Sequence, residues 1–440
     1  MALSLPNASR LLAPLLVFAA LAFVLTSLNG SNEGATPVAT LDRGTLSGDA
    51  LVDFQRAVRA APGSASAYAG LGEAYLSRAR ESGDPGLYSR AERAFDAALR
   101  RDPAELGAVI GAGNLAGLRH DFAEQLRLGR RAVSLAPGLA RPYTVVADAQ
   151  IELGRYGAAA ATIQRILDMK PSLAGYARAS YYRELSGDLA GAVAAMRLAA
   201  SAGGSPESAA YVRVLLGDLE LQRGRVNAAR LAYTSALRTL PGYPAGLVGL
   251  ARANAAGGSL EGAAARLRRA AAALPLTATL TLLADVERSL RNEGAADAAL
   301  AAARAQQAPL SGGSASGFAA RASAAAVLPD AEAVLFAADH GSPAAAVRLG
   351  RRVWRAAPSV RSADALGWAL TRAGRPAEGY RLARRALRLG SRDPLFRLHT
   401  GIAAKNAGMA APAARHLALA ASGRAGLSPR ALDLLQEARR

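Results

Sequence analysis

The sequence predicts an all-α protein: an α-solenoid of about ten helix-turn-helix repeats, preceded by one N-terminal transmembrane helix. Three observations predict this fold. Prolines recur with a fixed 34-residue period, small residues recur at fixed distances before them, and one uncharged apolar run stands near the N-terminus. A fixed period of this length is typical of stacked helical pairs, in which each unit contacts only its neighbours.

The apolar run comes first along the chain. Leu11 to Leu28 contains 18 residues without a charge, and as a helix it spans roughly 27 Å, close to the hydrocarbon thickness of a bilayer. We therefore expect residues 1–28 to form a short cytoplasmic stub and an uncleaved membrane anchor, and residues 29–46 to form a flexible tether. A cleaved secretory signal is the competing interpretation, but no small-x-small cleavage site follows the run.

The charges that flank this run predict the orientation of the chain. Arg10 and the free amine precede the run, whereas Glu33 and Asp42 are the first charges after it. The positive-inside tendency then favours a cytoplasmic N-terminus and a repeat array outside the cytoplasm. The sequence thus predicts a single-pass protein of the cell membrane.

The repeat itself is marked by prolines, which end a helix because they lack an amide hydrogen and clash with the preceding turn. Two sets are each spaced by 34 residues: Pro103, Pro137 and Pro171, and then Pro241, Pro275 and Pro309. Glycine stands 17 residues earlier in several units, where one helix turns into the next: Gly154, Gly224 and Gly258. Glycine suits that turn because a left-handed helix cap costs it nothing.

Short motifs within the units resemble the tetratricopeptide repeat (TPR) family. They are Leu71-Gly72-Glu73-Ala74-Tyr75, Leu216-Gly217-Asp218 and Arg384-Arg385-Ala386-Leu387. The resemblance covers roughly residues 64–424 and, together with the anchor, is similar to a bacterial membrane-anchored TPR protein. It implies a non-catalytic scaffold that binds a protein or peptide partner in a concave groove.

A glycine- and serine-rich run interrupts the repeat and has the composition of a flexible linker. We expect an N-terminal array at residues 47–309, a linker at 310–326 and a C-terminal basic array at 327–440. The last residues of the chain, about Ser428 to Arg439, are expected to form a capping helix, as stacked repeats require at their ends.

The resemblance also indicates a partner-binding groove on the leading helix of each unit. There, acidic and amide side chains would bind basic or backbone-exposed segments of a protein partner. The alternative is that these residues are ordinary polar positions on a solvated surface. The candidate groove residues are Glu73, Asn114, Asp148, Glu152, Tyr182, Asp218, Gln222 and Arg252.

A second candidate surface, the basic stripe, lies in the C-terminal array. Residues 351–440 contain 18 basic and 5 acidic side chains. Two groups of four arginines each follow the spacing of one helix face, and stacking should align them in one outward row. Such a row would contact an anionic lipid or a cell-envelope polymer; the alternative is a solvated convex surface. The basic stripe consists of Arg348, Arg351, Arg352, Arg355, Arg381, Arg384, Arg385 and Arg388.

The composition and the missing motifs exclude several classes of site. The chain has no cysteine, so thiolate metal sites are excluded. No phosphate-binding P-loop, zinc-protease helix motif or nucleophile elbow occurs, and we expect no catalytic, metal-binding or cofactor-binding residue. Two alternatives stay open. One is a nucleic-acid-binding repeat protein that uses the basic stripe, which the sparse aromatic residues disfavour; the other is an enzyme with an unrecognised site.

Overall fold

The computed structural model describes residues 49–82, 84, 86–307 and 329–440. Within these residues the chain forms 22 α-helices and no strand. The expected anchor at Leu11–Leu28, the tether and the linker at 310–326 lie outside the described residues. None of the helices in the described part combines the length and the apolar character that crossing a bilayer requires.

The first array, residues 49–307, consists of one single helix followed by seven helical pairs. Its helices are α1 (Ala50–Ala60), α2 (Ala65–Ser82), α3 (Gly86–Arg101), α4 (Leu106–Leu118), α5 (Phe122–Leu135), α6 (Ala140–Glu152), α7 (Tyr156–Met169), α8 (Leu173–Leu185), α9 (Leu189–Ser201), α10 (Pro206–Gln222), α11 (Val226–Thr239), α12 (Pro244–Ala256), α13 (Leu260–Ala273), α14 (Thr277–Ser289) and α15 (Glu293–Gln307).

The second array, residues 329–440, adds three more pairs and a single terminal helix. Its helices are α16 (Ala331–His340), α17 (Pro343–Ala356), α18 (Val360–Arg372), α19 (Pro376–Ala386), α20 (Pro394–Asn406), α21 (Ala410–Ser422) and α22 (Pro429–Arg439), with a 3₁₀ turn at Arg424–Gly426. The described part therefore holds ten helical pairs. Each pair packs mainly within itself and against its chain neighbours, which is the arrangement that the 34-residue period predicts.

Aromatic side chains and glycines explain how successive pairs approach each other. The ring of Tyr233 is fully buried between the leading helices of two successive repeats. A Cβ atom would lie 2.4 Å from this ring at Gly217 and 2.3 Å from it at Gly249. Only glycine leaves the ring enough room at these two positions. The same packing surrounds Phe95, between Gly72 and Gly111.

The turns within the pairs have the backbone conformation that the sequence predicts. Six glycines that follow a leading helix have φ between 67° and 85°: Gly154, Gly187, Gly224, Gly258, Gly374 and Gly408. An L-residue pays a steric penalty in this left-handed region, and glycine does not. Two repeats nevertheless place His120 (φ 61°) and Arg291 (φ 59°) in the left-handed region.

The two arrays pack against each other. One continuous buried cluster contains Tyr181 of the first array together with Val360, Ala363 and Phe396 of the second. Farther along, the 3₁₀ turn packs against α10 and α12, and α22 packs against α14. There Ser428 donates a hydrogen bond of 3.1 Å to Asp285. The second array thus lies along the leading helices of the first, the same helices that carry the candidate groove residues.

Candidate functional site

All eight candidate groove residues lie on leading helices, as expected, but several are already engaged within the chain. Glu73 lies on α2, Asn114 on α4, Asp148 and Glu152 on α6, Tyr182 on α8, Asp218 and Gln222 on α10, and Arg252 on α12. Their surroundings differ strongly from one repeat to the next.

Asp148 forms a fully buried ion pair with Arg178 of the next leading helix. The Nε and Nη2 atoms of Arg178 donate to the two carboxylate oxygens at 2.9 and 2.7 Å, and neither side chain is exposed. Burial raises the pKa of Asp148 to about 6, although the adjacent guanidinium opposes this shift. Asp148 therefore has no exposed atom for a partner and joins two repeats instead.

Asp218 and Glu73 are also paired with arginines of later repeats. Nη1 of Arg252 donates to Asp218 at 2.5 Å, and the Tyr233 hydroxyl donates to the same carboxylate oxygen at 2.7 Å. Nη2 of Arg141 donates to Glu73 at 3.2 Å. Both ion pairs keep about a third of each side chain exposed, so water and a partner can reach them. Two predicted groove residues, Asp218 and Arg252, thus form one pair.

The amide and aromatic members of the groove contribute mostly to packing. Asn114 is buried, at 5% exposure, so it cannot contact a partner along the groove. Tyr182 packs partly buried against the cluster that joins the arrays. Gln222 donates a hydrogen bond of 2.6 Å to Glu184, a residue of α8 that the sequence did not indicate. The centre of the groove is therefore largely closed by the chain's own side chains.

Arg361 of α18 is the residue that fills the centre of the groove. Its Nε donates to the Tyr181 hydroxyl at 2.7 Å, and the backbone amide of the preceding Val360 donates to the Tyr156 hydroxyl at 2.7 Å. Burial would lower the pKa of Arg361, but Tyr181, Glu152 and Glu184 together raise it above its usual value. The acidic groove thus binds a basic residue, as predicted for a partner, but this one belongs to the same chain.

The carboxyl groups around Arg361 have raised pKa values because they are buried. Burial raises the pKa of Glu184 to about 7, and the positive charge of Arg361 partly offsets this. Burial likewise raises the pKa of Glu152, again opposed by Arg361. Burial and weak compensation explain both shifts, since one guanidinium faces two carboxylates. Removing the arginine would leave both charges uncompensated.

The basic stripe is exposed on the outer helices of the second array. All eight of its arginines are exposed, four on α17 and three on α19. Arg375 lowers the pKa of Glu378, and Arg381 and Arg351 add to this effect, so the rows on α17 and α19 lie near the same carboxylate. In the described part of the chain, none of the seven helical stripe arginines forms an ion pair.

Arg388 departs from the predicted row. The helix α19 ends at Ala386, because the chain turns through Gly390 at φ 90°, so Arg388 lies beyond the helix. Its Nη2 donates to the Gly154 carbonyl oxygen at 3.4 Å, and its guanidinium lies 5.1 Å from the centre of the Tyr156 ring. This arginine contacts the first array instead of extending the helical row.

One buried pair in the second array has the residue types of a catalytic dyad. Nδ1 of His399 lies 2.8 Å from Oδ2 of Asp364, and the His399 ring stacks on Trp368 with 4.3 Å between ring centres. Burial would lower the pKa of His399, but Asp364 raises it overall. Both residues are almost fully buried, as in a structural pair. Among the described residues, no cluster of three metal-ligand side chains occurs.

Comparisons with known proteins find similar helical repeat structures. No protein-family model matches the chain, and no curated protein sequence matches it. The human IFIT1 dimer with m7Gppp-AAAA is 16% identical and covers 77% of each chain, with a TM-score of 0.45. The Cut9–Hcn1 hetero-tetramer of the APC/C is 15% identical and covers 89% of this chain and 81% of that one, with a TM-score of 0.38.

A bacterial TPR protein is similar over a shorter length. TTC0263, a thermophilic TPR protein of Thermus thermophilus, is 21% identical and covers 38% of this chain and 91% of that one, with a TM-score of 0.36. All three TM-scores lie below 0.5. The ten helical pairs at the 34-residue period make the chain a helical repeat array consistent with the TPR family, as the sequence motifs predict.

Proposed function

We propose that the chain is a non-catalytic, membrane-tethered repeat scaffold that holds a protein partner while its basic stripe contacts anionic lipid. The anchor at Leu11–Leu28 is part of this proposal, as is the location of the repeats outside the cytoplasm. A tether of the expected length would keep the repeats close to the bilayer. Partner binding would use the end of the groove that the second array leaves open, near Glu73 and Arg141, where both side chains are partly exposed.

The observation that carries this proposal is the exposed row of arginines on α17 and α19. Like charges at neighbouring helix positions repel each other by a few tenths of a kcal/mol. An anionic surface attracts the same charges, since each basic group near an anionic lipid surface contributes about 1 kcal/mol to the free energy of binding. This attraction exceeds the repulsion between the arginines. Lipid is the anionic surface that a membrane-tethered protein meets first.

Vesicle binding by residues 47–440 tests the proposal. We expect this fragment to bind vesicles with anionic lipid at low salt and to lose binding in high salt. Replacing the seven helical stripe arginines with glutamine should weaken binding more than about tenfold. The matched control replaces seven other exposed arginines, on the outer helices of the first array, with glutamine: Arg90, Arg93, Arg100, Arg230, Arg238, Arg269 and Arg304.

The outcome depends on which variant loses binding. If the two variants weaken binding equally, net charge alone drives it and the stripe has no special role. If the fragment binds neutral and anionic vesicles equally, lipid charge is not recognised. Stripe-dependent binding of duplex DNA in preference to anionic vesicles would favour the nucleic-acid alternative instead. Circular dichroism must show the same helix content in all three proteins.

A further inference from the structure

A cavity remains where the second array meets the first. It is partly open, has a volume of about 100 Å³ and is lined by residues of both arrays. Its apolar walls come from Phe122 of the first array and from Leu335, Val353, Leu395 and Phe396 of the second. The volume is several times what one water molecule needs, so a small organic group fits.

The polar lining of this cavity is mainly acidic. Its carboxyl side chains are Glu152, Asp330, Glu332, Asp364 and Asp393. Two of them have ordinary structural roles, because Asp330 caps α16 and Asp393 caps α20. The basic groups in the lining are Arg361 and His120. The carboxylates thus outnumber the cations, and Arg361 is already held by the Tyr181 hydroxyl.

Asp364 contributes a buried carboxylate oxygen to this cavity. Its side chain is buried, at 2% exposure, and its Oδ2 is bonded to His399. Its Oδ1 is buried and has no hydrogen-bond partner. A buried acceptor without a partner costs about 1 to 3 kcal/mol, more when it is charged. A donor bound in the cavity would satisfy this oxygen.

Glu152 and Glu332 line the same cavity, and no hydrogen bond to their carboxylates occurs within the described residues. Burial raises the pKa of Glu332, and the neighbouring Asp330 raises it further. Burial also raises the pKa of Glu152 and of Asp364. All three directions indicate negative charge that the surrounding residues compensate only weakly.

We propose that this cavity binds a primary alkylammonium group. Within the described residues, Asp364, Glu152 and Glu332 have carboxylate oxygens without a hydrogen-bond partner, and an ammonium group carries three N–H donors and no acceptor. The apolar walls suit a short alkyl stem, which a metal ion or an inorganic ammonium ion does not have. The chemistry is that of a free alkylamine or of a lysine side chain, and it goes beyond the scaffold function proposed above.

Because both arrays line the cavity, a bound ammonium group stabilises their docked arrangement. A ligand that binds only the docked state shifts the equilibrium towards that state in proportion to its concentration over its dissociation constant. The effect on unfolding is therefore a direct measure of binding. It needs no knowledge of a biological partner.

Thermal unfolding of the full chain in detergent, with n-butylamine as the probe, tests this proposal at pH 8. We expect the midpoint temperature to rise by a few degrees in a saturable way with n-butylammonium and not with n-butanol at equal concentration. Glu332→Gln should reduce the response at least about tenfold in apparent affinity. The matched control, Asp96→Asn, removes an exposed carboxylate on α3 and should respond as the wild type does.

Calorimetric titration with n-butylamine keeps the test decisive if a variant is less stable. Equal responses to the amine and the alcohol, or an unchanged affinity in Glu332→Gln, would overturn the proposal. A short peptide with one lysine, compared with the same peptide carrying norleucine, distinguishes the two sources. Stabilisation by the lysine peptide assigns the site to a partner's side chain, and stabilisation by n-butylamine alone assigns it to a free amine.

Discussion

Replacing Asp148 with alanine is expected to lower the free energy of unfolding by about 3 to 5 kcal/mol. The reason is that Arg178 would remain buried without its carboxylate, since neither side chain is exposed. Arg178 also donates to the Ala174 carbonyl oxygen at 3.0 Å, which holds the guanidinium in place and prevents it from turning to water. Urea unfolding followed by circular dichroism at pH 8 measures the loss.

Two controls separate the lost ion pair from a general effect of mutation. Glu73→Ala removes a carboxylate whose pair with Arg141 stays about a third exposed, so it should cost clearly less, about 1 kcal/mol. The double variant Asp148→Leu with Arg178→Met removes both buried charges and should recover much of the stability. A loss below about 1 kcal/mol for Asp148→Ala would contradict the assigned role of the pair.

Replacing Arg361 with methionine should release the second array from the first. The variant leaves Glu152 and Glu184 without the guanidinium that both now face, and it removes the hydrogen bond to Tyr181. We expect a loss of about 3 kcal/mol in stability and an increase in the radius of gyration at pH 8. The helix content should stay the same, because each array keeps its own buried clusters.

Arg372→Met on the same helix is the matched control for this prediction. Arg372 lies 4.0 Å from Asp339 and over the Trp368 ring, both within the second array, so its loss should not change the radius of gyration. Small-angle scattering measures both variants. A compact Arg361→Met protein at pH 8 would show that the apolar cluster alone holds the arrays together.

The repeat period predicts most of the fold because each pair depends on local sequence. Proline ends the trailing helices, and glycine takes the left-handed turn after the leading ones, so helix positions follow from residue spacing. The exposed arginines of α17 and α19 follow in the same way, since a helix face is set by spacings of three and four residues. Arg388 could not be placed, because the end of α19 depends on the turn at Gly390.

The occupied groove could not be predicted, because its contacts join residues far apart in the chain. Arg361 and Tyr181 are separated by 180 residues, and no repeat period relates them. Gly154 shows the same difficulty. Its position predicts a turn glycine, but a Cβ there would also lie 2.4 Å from the Pro358 carbonyl oxygen of the second array. The sequence pattern indicates that Gly154 lies in a turn. It does not indicate that the second array comes too close to this position for any side chain.

The candidate groove residues illustrate how burial decides a role that spacing leaves open. Asp148 and Asp218 occupy equivalent positions in their repeats. The side chain of Asp148 is fully buried against Arg178. The side chain of Asp218 stays about a third exposed to solvent while it pairs with Arg252. The difference arises from the residue that the next leading helix supplies. Spacing alone places both in the groove and cannot tell which of them solvent reaches.

The second array lies along the groove of the first, and one engineered cysteine pair tests this arrangement directly. The native chain has no cysteine, so Ser186→Cys and Arg392→Cys introduce the only two thiols. A Cβ at the neighbouring Gly187 would lie 3.6 Å from Cγ of Arg392. We expect a short bis-maleimide, which adds one cysteine thiol across each of its two C=C bonds, to join the pair rapidly in buffer and not in denaturant. Failure to join the two thiols in the folded protein would contradict the docked arrangement.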